Sequence, residues 1–437
     1  MSVPRPGRAR VARRFSGVMV ALTTIAACGG SGAGGAPTPP PGGSTTTTMT
    51  ADAAANNATP GASWVRRELP GFGGMEKVQT VLADPARPGD FYAFVGSNNG
   101  PTIKVYRSTD FGETWENRNT TAEIKGKPWG ASLDPNPARD PATPPTMWAP
   151  SGYGATGAWK SIDGGQTWVR STACDDAFGP FNPFGAKLTD LYHLQILPDD
   201  PPNHVLVTYH YAFKDKGDGG FGETWDGGAT WVVHPPPDGI GTSHYVIPVG
   251  ATTWAVIAQD NGMGKNGIWR TTTAGRMGGS AAAKFRDGTI SAAAWSKVDD
   301  LEHVHGSHQN LVLKSGTIFA TGWVTGARSR DGGATWEHFT KGSWAPPHQF
   351  ESSSMSNLAA TDRYLYSNYL ATPTLARAAI DDPVGADKWS TAYCETPADM
   401  HSGGSPFGMA SAYDARAQHW IIVAGTSDSG IWKYVEP

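Results

Sequence analysis

Apolar residues in this chain come in short runs, cut by glycine, proline and aspartate, and no stretch sustains the spacing of an amphipathic helix. The expected elements are therefore short strands joined by tight turns. Segments such as Trp64-Val65-Arg66, Ile268-Trp269-Arg270, Tyr364-Leu365-Tyr366 and Ile431-Trp432-Lys433-Tyr434 set large rings within strand-length runs. Composition agrees, since Gly 55, Pro 34 and 17 Trp in 437 residues supply turns and broad packing surfaces.

One pattern occurs four times: STDFGETW at Ser108–Trp115, SIDGGQTW at Ser161–Trp168, TWDGGATW at Thr224–Trp231 and SRDGGATW at Ser329–Trp336. In each, the aspartate can accept hydrogen bonds from turn N–H groups, and the glycine can take the positive φ that a tight turn demands. The tryptophan opens the next strand and brings a large face to bury. These segments are identified as Asp-boxes and resemble those of the BNR-repeat propellers, which include sialidases and xyloglucan-cleaving hydrolases. On that reading Asp110, Asp163, Asp226 and Asp331 are structural clasps between the third and fourth strands of a blade, on the face opposite the ligand-binding mouth. Weaker copies precede Trp295, with an expanded turn around Gly275–Ala283, and Trp389. The strand-opening tryptophans are then 64, 115, 168, 231, 295, 336 and 389, spaced by 41 to 64 residues. Residues 63–437 are thus expected to form an all-β, seven-bladed β-propeller of four-stranded antiparallel blades. The N-terminal strand would join the last blade and close the ring; six blades, as in sialidases, is the alternative.

The first 62 residues read differently. Five arginines at positions 5, 8, 10, 13 and 14 precede the short apolar run Val18–Ile25, and Ile25-Ala26-Ala27-Cys28 is similar to the bacterial lipobox. Residues 1–27 are expected to be a signal peptide, with Cys28 lipidated. The Gly/Pro/Thr-rich residues 28–62 are expected to be a disordered tether from the cell envelope, periplasmic or surface-exposed. That lipid would be the chain's contact with the membrane. Removing residues 1–27 moves the formal charge from −4 to −9, which excludes the basic surface a nucleic acid requires.

Candidate chemistry sits where each inner strand should begin. Those segments hold Glu76, Trp129, Asp190 with Tyr192-His193, His244-Tyr245, the HVHGSH cluster with His303, His305 and His308, His348 with Glu351, Asp399 and His401. At least seven of the 12 histidines fall there. Loops between the second and third strands add Tyr153, His210-Tyr211 and Asn261. Tyr192, His193, His244, Tyr245, Glu76, Asp190 and Glu351 are the catalytic candidates. Two carboxylates across the funnel would serve a glycoside hydrolase, and a His–Tyr pair could move a proton in a polysaccharide lyase. Trp129, Tyr153, His210, Tyr211, Asn261, His348 and His401 are the substrate-binding candidates, and His305 with His308 could hold a divalent metal ion. The sialidase Arg-Ile-Pro motif is absent from the sequence. Cys174 and Cys394 could pair across the mouth, in an oxidising compartment, or remain thiols. The leading expectation is an envelope-anchored propeller that binds, and could cleave, an extracellular polysaccharide. A non-catalytic scaffold gripping a protein partner and a metal-dependent enzyme are the alternatives.

Overall fold

The computed structural model describes residues 60–73, 76–96, 103–122, 124, 128–150, 157–181, 191–209, 212–213, 217–218, 220–237, 242–250, 252–259, 267–274, 290, 292–301, 310–321, 326–339, 357–367, 375–395, 397–401, 408–426 and 429–437. The expected signal peptide, Cys28 and residues 29–59 of the tether lie outside them. Residues 60–62 belong to the folded part, where the Gly61 N–H donates to the Val435 carbonyl at 2.9 Å.

The strands form a seven-bladed β-propeller. Blade 1 comprises Lys77–Ala83, Phe91–Gly96, Lys104–Ser108 and Glu116–Asn117, and blade 2 Ser132–Leu133, Met147–Pro150, Ala158–Ser161 and Val169–Arg170. Blade 3 comprises Leu191–Ile196, Val205–Tyr209, Phe221–Thr224 and Val232–His234, and blade 4 Thr242–Gly250, Thr253–Gln259, Gly267–Thr271 and Ser296–Asp299. Blade 5 comprises Asn310–Val312, Ile318–Ala320, Ala327–Ser329 and Glu337–His338. Blade 6 has three strands, Leu358–Ala360, Tyr364–Ser367 and Ala376–Ala379, with its fourth position reduced to a bridge between Arg377 and Ser390. Blade 7 comprises Met409–Asp414, His419–Gly425 and Ile431–Val435, and its outer edge is the N-terminal strand Val65–Arg67, with Val65 opposite Lys433.

Alternation along the strands explains why the sheets stack radially. A strand sends successive side chains to opposite faces. Tyr92 and Phe94 pack with Met147, Ala149 and Trp168 of blade 2, while Phe91, Ala93 and Val95 pack with Ile421 and Val423 of blade 7. In blade 4, Trp254, Val256 and Ala258 face blade 3, and Ala255 with Ile257 faces blade 5. Every pair of consecutive blades shares such a cluster, including the last pair with the first. Buried charge reinforces the blade 7 to blade 1 contact: Glu113, in the turn of blade 1, meets Arg67 at 2.7 Å and the 1%-exposed Lys433 at 3.1 Å.

The four repeated turns have one geometry. At the first, the Glu113 and Thr114 N–H groups donate to Asp110 Oδ1 at 3.0 and 2.9 Å, the Thr114 hydroxyl donates to Oδ2, and the Gly112 N–H donates to Ser108 Oγ at 2.8 Å. Asp163, Asp226 and Asp331 accept from their own Thr167, Thr230 and Thr335 in the same way. Burial raises the Asp110 pKa, but these donors outweigh it and hold the carboxyl below its ordinary range. At Asp331 they hold it down to about 2. The glycine is required twice over at Gly228, where φ is +95° and an added Cβ would stand 2.5 Å from the Trp148 ring of the neighbouring blade. Each turn therefore both closes a hairpin and seats against the preceding blade.

Asp110→Ala removes an acceptor for four donors, the Glu113 and Thr114 N–H groups and the Thr114 and Ser108 hydroxyls, which should cost about 2 kcal/mol. Chemical unfolding of the purified chain should show the midpoint falling accordingly, and an unchanged midpoint would mean that packing alone sets the turn.

Candidate functional site

Antiparallel order places the beginnings of the inner strands at the end of the ring opposite the four clasps. Among the described residues, three inner strands carry a β-bulge close to that end. The extra residue is Gln79 in blade 1, between the pairs Val78 with Val95 and Thr80 with Phe94. It is Tyr192 in blade 3, between Leu191 and His193, and His244 in blade 4, between Ser243 and Tyr245. A bulge re-aims side chains and strengthens local twist, and bulges concentrate at rims and sites.

Between the inner strands lies an axial cavity of about 470 Å³, lined by residues of blades 1, 2, 3, 5, 6 and 7. Gln79, Gln195, His193 and Asn310 supply much of its polarity, and small or aliphatic residues such as Ala131, Ala359 and Leu358 supply the remainder. No Asp, Glu, Lys or Arg is among the described lining residues. Burial pushes the His193 pKa down to about 4, so its imidazole is neutral at pH 7. That value sits too far below neutrality for an efficient general base there.

Blade 2 shapes this wall. Gly130 has φ +63° and donates no bulk, because a Cβ there would lie 2.2 Å from His193 Cδ2. Its carbonyl accepts the Leu194 N–H at 2.9 Å, which locks the blade 2 approach onto the blade 3 inner strand. The same contact brings together two residues singled out in the sequence: Trp129 and Tyr192 pack with ring centroids 5.1 Å apart. Both are buried, Tyr192 completely, so their rings serve the blade 2 to blade 3 contact and leave His193 alone of the three on the cavity wall.

The other predicted residues divide in three groups. Glu76 pairs with Lys104 at 2.6 Å and accepts the Gly73 N–H at 2.8 Å, an assignment as a local clasp. His244 and Tyr245 begin the inner strand of blade 4, and His401 ends the short helix Ala398–His401. Tyr153, Asp190, His210, Tyr211, Asn261, His305, His308, His348 and Glu351 lie outside the described residues. Among the described residues, no three His, Cys, Asp or Glu side chains converge as a metal-binding group. Of the two outcomes left open for Cys174 and Cys394, the structure has the unpaired one, and both are free thiols. They belong to different inter-blade clusters, Cys174 between blades 2 and 3 in the helix Thr172–Phe178 and Cys394 between blades 6 and 7, so the packing that buries each also keeps them apart.

A second polar assembly was not anticipated from sequence. At the clasp end of blade 3, His204 Nε2 and His234 Nε2 lie 3.0 and 2.8 Å from the two oxygens of Glu223, and Asp199 Oδ1 lies 2.8 Å from His204 Nδ1. His234 Nδ1 accepts the Ile290 N–H at 3.0 Å, which assigns its proton to Nε2 and leaves that ring neutral. His204 has an acid on each nitrogen, an arrangement that favours its doubly protonated form; burial alone would lower its pKa, but the hydrogen bonds to Asp199 and Glu223 raise it. Burial likewise opposes the Glu223 charge, yet the two imidazole donors hold its carboxyl down to about 2. Trp225 stacks on His204 with centroids 3.3 Å apart. His204 and Asp199 border a cavity of about 570 Å³ at this end.

No protein-family model matches the chain. It is similar to a xyloglucanase of Paenibacillus sp, 23% identical over 330 residues, which cover 68% of this chain and 30% of that enzyme. It is also similar to a xyloglucanase of Acetivibrio thermocellus, 25% identical over 280 residues, covering 60% of this chain and 32% of that one. The chain thus spans about a third of the length of these curated relatives. Among solved structures, the hydrazine synthase of Kuenenia stuttgartiensis superposes with a TM-score of 0.52 at 9% identity, over 84% of this chain and 96% of that one, a likeness of fold.

The His204 network predicts a pH signature. Glu223 titrates below its ordinary 4.5, so its stabilisation is present above that pH and is lost as pH falls toward 2. His204 titrates above its ordinary 6.5, so its stabilisation is complete below 6.5 and is lost as pH rises through the folded value. The difference in unfolding midpoint between the native chain and Glu223→Gln should therefore peak between about pH 4.5 and 6.5 and narrow on both sides. His193 titrates alike in both chains and cancels from that difference. A gap independent of pH would mean that the network is not ionised in this way.

Proposed function

We propose that this protein is a carbohydrate-binding propeller of the bacterial cell envelope that engages an extracellular polysaccharide at the mouth end of its ring. The observation that carries the reading is the similarity to two xyloglucanases over 60 to 68% of the chain, across the blades themselves. Among the described residues the axial wall is uncharged, with a neutral His193 and two glutamines, which suits a sugar chain better than a polyanion. Cleavage is the lesser part of the proposal. Hydrolysis needs two carboxylates on opposite sides of the glycosidic bond, and Glu76 is already held by Lys104. Asp190 and Glu351 remain the acid and base candidates of a hydrolase, and the His244-Tyr245 pair that of a lyase.

Affinity electrophoresis of the folded chain through gels containing xyloglucan should retard its migration, with release of reducing or unsaturated ends measured in parallel. Unchanged mobility in xyloglucan and in a panel of other plant and bacterial polysaccharides would end the proposal. Envelope attachment has its own readout: expressed from its full sequence, the native chain should fractionate with membranes and Cys28→Ala should appear in the soluble fraction. Equal partitioning of the two would remove the lipid anchor.

A further inference from the structure

At the clasp end, several inner strands finish in apolar residues that no neighbouring blade covers. Pro135 and Pro198 follow the inner strands of blades 2 and 3, Pro248 stands near the end of that of blade 4, and Leu311 with Val312 ends that of blade 5. All five border the cavity of about 570 Å³ at this end. A proline presents carbon to the solvent and has no N–H to satisfy, and Val312 is 44% exposed. The accessible wall is therefore largely apolar. Trp254 and His204, which also border the cavity, are 1% and 2% exposed and add little surface to it.

One charge interrupts this surface. Asp199 lines the cavity with its side chain 40% exposed. Its two oxygens meet His204 Nδ1 at 2.8 and 3.0 Å, but Glu223 holds the other nitrogen of the same ring at 3.0 Å. The second ring on Glu223, His234, is neutral because its Nδ1 accepts the Ile290 N–H. Two carboxylates thus share at most one positive charge, and no Lys or Arg is among the described lining residues. The group keeps an excess negative charge, and Asp199 is its exposed member, since Glu223 is 3% exposed. A carboxylate oxygen can accept more than one hydrogen bond, so the contact with His204 leaves acceptor sites on Asp199. An anion would be repelled here, and a neutral apolar molecule would leave the charge without a partner. An apolar body carrying one ammonium group satisfies both, because a charge-assisted hydrogen bond beside a dry wall is stronger than one in open water. The volume falls within the range of small-molecule sites, roughly 300–1,000 Å³.

We propose that the clasp-end cavity is a binding site for a small organic monocation, a primary ammonium on an apolar body, with the ammonium on Asp199 and the body against Pro198, Pro248, Leu311 and Val312. The site lies at the end of the ring opposite the mouth. It goes beyond the polysaccharide reading and does not rest on it.

Isothermal titration of the full chain at pH 7 with phenylbutylamine, phenylbutanol and phenylbutanoate, one apolar body under three head groups, tests the site. The amine should bind about fivefold more tightly than the alcohol, and the acid more weakly than either. Asp199→Asn should erase the preference for the amine while the alcohol binds as before. A merely structural role for Asp199 would move both probes together, so the ratio within the variant is the readout. Val312→Ser alters a side chain already 44% exposed and should weaken amine and alcohol alike, about threefold. Added salt should narrow the gap between amine and alcohol in the native chain. If Asp199→Asn does not fold, the salt dependence and Val312→Ser decide. No saturable binding of the amine, equal affinity for the three probes, a gap that salt leaves unchanged, an Asp199→Asn chain that still prefers the amine, or a Val312→Ser chain that binds like the native one would overturn the site. Its loss would leave retardation in xyloglucan gels, and the reading tested there, untouched.

Discussion

Each blade has two apolar faces, and only its two neighbours can cover them. A four-stranded sheet in water would expose the Phe94 side or the Phe91 side, and no helix of the described chain is available to cover either. Burial of both faces is worth far more than any single turn or ion pair, so the sheets are driven to stack in succession. Because the first and last blades meet the same requirement, the stack curves until they cover each other, and the Val65–Arg67 strand pairs with Ile431–Val435 in that last sheet. The clasps and the ion pairs are refinements of this arrangement. They set the spacing of blades whose contact is already required.

The ring also sorts polarity. Charged groups lie toward the clasp end, Arg139 with Asp84 and Lys433 with Glu113 between blades and the His204 and Glu223 network within blade 3. The axis receives amides, hydroxyls and a neutral imidazole. The division follows from geometry. Arginine and lysine can reach across a blade boundary to an acid while resting their stems on a sheet face, whereas no charged side chain is among the described residues that line the axial cavity.

Much of the architecture was legible in particular residues. The repeated Ser/Thr-x-Asp-x-Gly-x-Thr-Trp spacing names a turn whose hydrogen bonds are all local, within seven positions, so pattern and geometry coincide. The tryptophans counted the blades even where the turn had decayed: Trp389 keeps its indole donor on the Pro383 carbonyl at 2.9 Å in a blade whose fourth strand is only a bridge. The site was less legible. Trp129 and the Tyr192-His193 pair were singled out separately and do meet, with the Trp129 and Tyr192 rings buried against each other. Gln79, Gln195, Glu223 and His234 carry no pattern that marks them in a linear chain. Their significance depends on what lies across a blade boundary, or on the absence of a partner there.

By itself, the sequence determined the unit, its hairpin clasps and its repetition, because these rest on alternation along strands and on bonds between near neighbours. Tertiary structure alone decided which residues face the axis. A bulge at Gln79, Tyr192 or His244 arises from the mismatch of one strand with its partner and re-aims the side chains around it. The burial that keeps His193 neutral, and that separates Cys174 from Cys394, comes from blades distant in the chain. Long-range packing therefore chose the character of the site, while local chemistry built the frame that holds it.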